Sequence, residues 1–87
     1  MTARLLAGKL YQFMGGEPRI VYLNNFNGIA HQKLMEKNCI FLLIENIKTK
    51  NCYNNKSLKI LFDGKICFLD YSNKKELEEY NLQRVKQ

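Results

Sequence analysis

The stretch Ser57-Leu58-Lys59-Ile60-Leu61-Phe62-Asp63-Gly64-Lys65-Ile66-Cys67-Phe68-Leu69-Asp70-Tyr71 decides how this chain is read. Asp63-Gly64 separates two runs rich in β-branched and aromatic residues. The dipeptide predicts a two-residue type I′ turn, because both central positions need φ > 0 and Gly reaches it without steric cost. Such a turn sets the register: Phe62 opposite Lys65, Leu61 opposite Ile66, Ile60 opposite Cys67, Lys59 opposite Phe68 and Leu58 opposite Leu69. One face of the hairpin then carries Leu58, Ile60, Phe62, Cys67, Leu69 and Tyr71, enough for a core wall. The other carries Leu61, Ile66 and Phe68 among Ser57, Lys59 and Asp70, which is too apolar for a plain solvent face. Something is expected to cover it.

Upstream of the hairpin, Asn38 to Lys48 is the longest strand candidate. Its faces are Cys39, Phe41, Leu43, Glu45, Ile47 and Ile40, Leu42, Ile44, Asn46, Lys48. Both begin apolar and one stays so, the profile of a central strand buried on both sides for half its length. Gly8 to Met14 alternates weakly and ends at Gly15-Gly16, and Arg19 to Leu23 follows Pro18; the two are expected to pair as a hairpin. Asn24 to Gly28 reads as a loop, and Ile29 to Met35 as either a short strand or one helical turn. Lys50 to Lys56 is a polar, basic loop. Beyond Tyr71, Asn73 and Glu76 form a capping-box-like pair that predicts a short helix containing Leu77 and Tyr80. Lys74 and Lys75 in its first turn oppose the helix dipole and keep it brief. Leu82 to Val85 either returns as a closing strand or continues the helix.

Length and composition bound the rest. Eighty-seven residues make a single domain, 1–87, with room for one core. A hydrophobic fraction of 46% is ordinary for a globular chain. The longest apolar run, Cys39 to Ile44, is far short of the roughly 20 residues a membrane helix needs. Arg4 is followed by too few apolar residues for a secretory leader, so a cytoplasmic protein is expected. Cys39, Cys52 and Cys67 are widely spaced and odd in number, which fits neither a disulfide scaffold nor a zinc site. Within apolar strands a thiol behaves as a small hydrophobe. His31 has no nucleophile or carboxylate arranged beside it. Glu36, Glu45, Asp63 and Asp70 are the acids nearest apolar stretches, yet no base, nucleophile or phosphate-cradling loop accompanies them. No enzymatic activity, metal, cofactor or small-molecule substrate is expected.

The order hairpin, loop, long strand, basic loop, tight Asp-Gly hairpin, helical turn points to an all-β fold. With Leu58-Lys59-Ile60-Leu61-Phe62-Asp63-Gly64-Lys65-Ile66 at its centre, the chain resembles the SH3-like class of small barrels, to which Sm-like RNA-binding proteins belong. That resemblance covers Asn38 to Tyr71 well and the first thirty residues loosely. It implies a strongly bent, five-stranded antiparallel barrel with one short helix, RNA binding, and rings closed by pairing edge strands between neighbours. The Asp-x-x-x-Asn signature of typical Sm proteins is not visible here. The Lys-, Asn- and Ile-rich composition and small size also resemble those of phage-encoded proteins.

Net charge is +6, from 14 Lys and Arg against 8 Asp and Glu, which biases the chain toward polyanions. A site for RNA or single-stranded nucleic acid needs cations for phosphate, amides for base edges and an aromatic for stacking. Two loops offer all three: Lys48, Lys50, Asn51, Tyr53, Asn54, Asn55 and Lys56, and Asn24, Asn25, Phe26, Asn27, His31 and Lys33. The simplest cover for Leu61, Ile66 and Phe68 is a second copy of the chain, making a homo-oligomer; the alternative is that Ala3 to Ala7 folds over them. The competing functional expectation is a structural module that docks on another protein through the same apolar face.

Overall fold

The computed structural model describes residues 5–23, 31–50 and 54–86. It is an all-β fold: β1 (Leu10–Phe13), β2 (Arg19–Leu23), β3 (His31–Met35), β4 (Ile40–Ile47), β5 (Lys56–Phe62), β6 (Lys65–Tyr71), one short helix α1 (Lys74–Glu79) and β7 (Leu82–Arg84). The strands form one antiparallel sheet in the order β3-β2-β6-β5-β4-β1-β7, curled strongly into a half-barrel. Seven strands replace the five expected. The additional ones, β3 and β7, are the two stretches whose sequence left strand and helix both open. Each becomes a strand because it finds an edge to pair with, β3 on β2 and β7 on β1.

The β5–β6 hairpin forms in the register that Asp63-Gly64 demands, from Phe62 opposite Lys65 to Lys56 opposite Tyr71. Asp63 and Gly64 have φ of 53° and 75°, the left-handed pair of a type I′ turn. Its inner face is the core wall foreseen: Leu58, Ile60, Phe62, Cys67, Leu69 and Tyr71 are all buried. Tyr11, Phe13, Val21, Met35, Phe41, Leu43 and Tyr80 complete one core.

Two expectations are corrected. β1 does not pair with β2; its edges are taken by β4 and β7, while β2 crosses to pair with β6 and β3. Neither Gly15 nor Gly16 has the positive φ a tight hairpin would use. Gly15 is instead buried, where a Cβ would lie 2.9 Å from the Phe13 ring and 3.1 Å from the Glu79 carbonyl oxygen. The glycine is there for close approach, and the chain passes beneath the end of α1. Nor is β4 buried on both sides. Phe41 and Leu43 face the core, but Ile40 on the opposite face is 49% exposed.

A bulge at Ile44 explains the pattern of β4. Leu43 pairs with Ile60 and Glu45 with Lys59, so Ile44 is the extra residue. Without the bulge, alternation would aim the Glu45 carboxylate at the core. With it, Glu45 sits outside beside Lys59, and Asn46 turns inward to accept a 2.7 Å hydrogen bond from the Tyr71 hydroxyl. A bulge also increases local twist, which suits a sheet that must curl.

The helix closes the open side. Asn73 Oδ1 accepts from the Glu76 N–H at 2.8 Å, and Glu76 reaches back to the Ser72 N–H, one residue earlier than a standard capping box. Tyr80, the C-cap, donates its hydroxyl to the Asp70 carbonyl at 2.5 Å and packs 6.0 Å from Phe13, with the Arg19 guanidinium 5.1 Å from its ring centre. No helix among the described residues is long and apolar enough to cross a membrane.

Two measurements check this account. Gly64→Val must force a β-branched residue to positive φ, at a cost of about 1–2 kcal/mol or more, and an unchanged melting temperature would refute the turn. Burial pushes the Tyr80 phenol well above its ordinary value and a bond to Glu76 raises it further; burial also raises Tyr71. Both groups are neutral in the fold, so their contribution is complete below the unfolded tyrosine value of about 10 and is lost as pH rises beyond it. Chemical denaturation across the alkaline range should show stability falling above about pH 10, with a shallower fall in Tyr80→Phe.

Candidate nucleic-acid interface

The register of β4, β5 and β6 gathers cations at one end of the sheet. Ile47 pairs with Ser57, so Lys48 leaves β4 where Lys56 enters β5. Lys56 pairs in turn with Tyr71, and the chain then passes through the Asn73 cap to Lys74 and Lys75. Lys48, Lys50, Lys74 and Lys75 are exposed and Lys56 is half-buried. None of them takes part in the ion pairs among the described residues, Arg19–Glu79 and Lys33–Asp63. Of the acids nearby, Asp70 accepts from the Ser57 hydroxyl at 2.6 Å and Glu76 holds the helix start. Asn54 is exposed with φ of 65°, a loop conformation that asparagine tolerates, and Asn55 is half-buried. Asn51 and Tyr53 lie outside the described residues.

The strand that leads into the second loop ends elsewhere. Leu23 at the end of β2 pairs with Cys67, close to the Asp63-Gly64 turn, whereas Lys56 lies at the far end of the same ladder, opposite Tyr71. Four strand residues at about 3.3 Å each separate these two points by on the order of 13 Å along the sheet. Asn24, Asn25, Phe26 and Asn27 fall outside the described residues; His31 opens β3. Lys33 is already engaged, its ammonium paired with the Asp63 carboxylate and 5.5 Å from the centre of the Phe62 ring. It fastens β3 to the hairpin tip across the rim of the core.

The third expected surface lies on the convex face. Leu61 is 38% exposed, while Ile66 and Phe68 are half-buried by their strand neighbours. The register extends this patch beyond the hairpin: Ile66 faces Leu61, Leu61 faces Leu42, and Leu42 faces Leu10, an apolar row across four strands. Within the N-terminal segment, residues 1–4 are not described. Leu5 packs against the core cluster and the Leu6 N–H donates to the Tyr11 hydroxyl at 2.7 Å, while the Leu6 side chain is exposed.

Sequence reasoning missed one feature. A cleft of about 560 Å³ beside β1 and β7 is lined by Lys9, Leu10, Arg84, Val85 and Lys86. The alternation Arg84-Val85-Lys86 was readable, but its position beside Lys9 follows only from β7 pairing with β1. Among the described residues no His, Cys, Asp or Glu group is arranged to hold a metal. Burial raises the Cys67 thiol above its ordinary value, as expected of a cysteine that packs as a hydrophobe.

Lys33 and the lysines of the basic end should behave differently. Lys33→Gln breaks a partly exposed ion pair and should cost no more than about 1 kcal/mol in denaturant unfolding. Because Asp63 already neutralises that charge, the salt slope of any polyanion binding should stay as in the wild type. A lowered slope would place Lys33 in the interface. Comparison of the chain with protein-family models, with curated proteins and with solved structures finds no match.

Proposed function

We propose that this protein binds RNA or other single-stranded nucleic acid without catalysis, through the basic end of a small curled barrel of Sm-like character, and that it works as a homo-oligomer. The observation that carries this reading is the clustering of Lys48, Lys50, Lys56, Lys74 and Lys75 around the β4–β5 connection and the β6–α1 junction. Clustered cations attract phosphate, and the Asn51, Tyr53, Asn54 and Asn55 side chains of the same connection supply the amides and the aromatic that bases require. Repetition across subunits adds affinity through effective concentration, which also allows the Asn24–Lys33 loop of one copy to work with the basic end of another. The contact between copies is assigned to Leu61, Ile66 and Phe68.

A second reading is favoured by the convex apolar row. Leu10, Leu42, Leu61 and Ile66 give a docking face for another protein, with the positive charge serving solubility or an acidic partner. Salt separates the two, since nucleic-acid binding weakens steeply as salt rises and an apolar contact does not.

The test is a binding titration with oligo(U) at several salt concentrations, with light scattering to report the number of copies. Tyr53→Ala should lower affinity at every salt concentration by the equivalent of about 1–3 kcal/mol per stacked base. Lys50→Ala with Lys56→Ala should flatten the salt dependence by roughly 0.7 per charge removed. Equal affinity for wild type and the triple variant moves the site elsewhere. No binding by the wild type at low salt, with a saturable apolar partner instead, hands the case to the docking module. A clean monomer at high concentration removes the oligomer.

A further inference from the structure

The cleft beside β7 is built differently from the basic loop. Tyr11 pairs with Arg84, and the Val85 N–H donates to the Leu10 carbonyl at 2.9 Å. Continuing that register by one step places Lys9 opposite Lys86. By strand alternation Lys9, Arg84 and Lys86 then lie on one face of the β1–β7 ladder, with Arg84 diagonal to Lys9. Like charges directly opposite each other across a sheet are destabilising. No acid lines the cleft to relieve them, and neither ion pair of the described residues involves them.

Backbone geometry adds donors to the charges. The Val85 N–H points to β1, so in an antiparallel strand those of Arg84 and Lys86 point the other way. There β7 is the end of the sheet, with no strand among the described residues beyond it. A guanidinium fork, two ammonium groups and outward amides match a group with several anionic oxygens at tetrahedral spacing.

We propose that the Lys9–Arg84–Lys86 cleft is a phosphate-binding site, which takes its phosphate either as a terminal phosphomonoester or as a backbone phosphodiester. The site stands apart from the β4–β5 connection and does not require it. Charged side chains also guard a short edge strand against unwanted pairing. That duty needs charge alone and gives no saturable anion binding, so the two roles are separable.

The experiment is an amide NMR titration of the full chain with inorganic phosphate at constant ionic strength. Saturable shifts at Leu10, Arg84, Val85 and Lys86 are expected, together with a rise in melting temperature. Arg84→Gln, at an exposed edge position, should weaken phosphate about tenfold, the effect of losing one charge-assisted contact, and abolish the thermal shift. Lys74→Gln with Lys75→Gln should leave both unchanged. Oligo(U) with and without a 5′-phosphate then separates the sources. Tighter binding of the 5′-phosphorylated strand that disappears in Arg84→Gln marks a terminal phosphate; equal loss for both strands marks the backbone. Non-saturating shifts scattered over many lysines, or wild-type phosphate affinity in the Lys9→Gln, Arg84→Gln, Lys86→Gln triple variant, would overturn the proposal. Since the phosphate titration contains no nucleic acid, its outcome is independent of whether Lys50, Tyr53 and Lys56 bind RNA.

Discussion

The left-handed backbone at Asp63 and Gly64 is the constraint on which the sheet rests. It admits one register for β5 on β6, and a slip of one residue would carry Leu58, Ile60, Phe62, Cys67, Leu69 and Tyr71 to the opposite face. The other strands assemble on this hairpin: β4 on the free edge of β5, and β2 on the free edge of β6. β1 and β7 extend one wing and β3 the other. The Lys33–Asp63 pair ties the β3 wing back to the turn itself, so the hairpin tip is both the origin of the register and a clasp for the curl.

Curling a sheet of this size over a small core needs local devices. The Ile44 bulge bends β4 and lets Glu45 and Asn46 exchange faces, which keeps a carboxylate out of the core and gives the Tyr71 hydroxyl an acceptor. At the open side Tyr80 bridges Asp70, Phe13 and Arg19, and Gly15 lets the β1–β2 crossover pass under the helix end. A side chain at Gly15 would meet the Phe13 ring and the carbonyls of Glu79 and Tyr80. Closure of the half-barrel thus depends on a buried aromatic and a missing Cβ.

The same topology sorts charge. Strand ends at which β4 finishes, β5 starts and β6 finishes bring lysines together that are far apart in the chain, while Lys33 is neutralised at the opposite end. On the convex face Glu45 sits opposite Lys59, and Asp70 accepts from the Ser57 hydroxyl. The lysine cluster and the apolar row Leu10, Leu42, Leu61 and Ile66 are separate surfaces, so a polyanion and a protein partner need not compete for one site.

What the sequence determined by itself was local. Asp-Gly chemistry specified the β5–β6 register and its buried face, because a type I′ turn depends on two residues and their φ preferences. Asn73 and Glu76 specified the helix start for the same reason. The Lys- and Asn-rich loops were legible as composition. What tertiary structure decided was every long-range choice. Gly15-Gly16 looked like a hairpin turn, yet the edges of β1 were claimed by β4 and β7, since hydrogen-bonding edges are indifferent to sequence distance. His31 to Met35 and Leu82 to Arg84 had no intrinsic preference strong enough to choose between strand and helix, and the available edges chose for them. The Ile44 bulge was hidden because strict alternation is the only strand pattern a sequence displays. Placing Lys33 at the Asp63 turn and Lys56 at the far end of the same hairpin, and Lys9 beside Arg84 and Lys86, required knowing which strands are neighbours, and pairing across the whole chain is what local propensities do not encode.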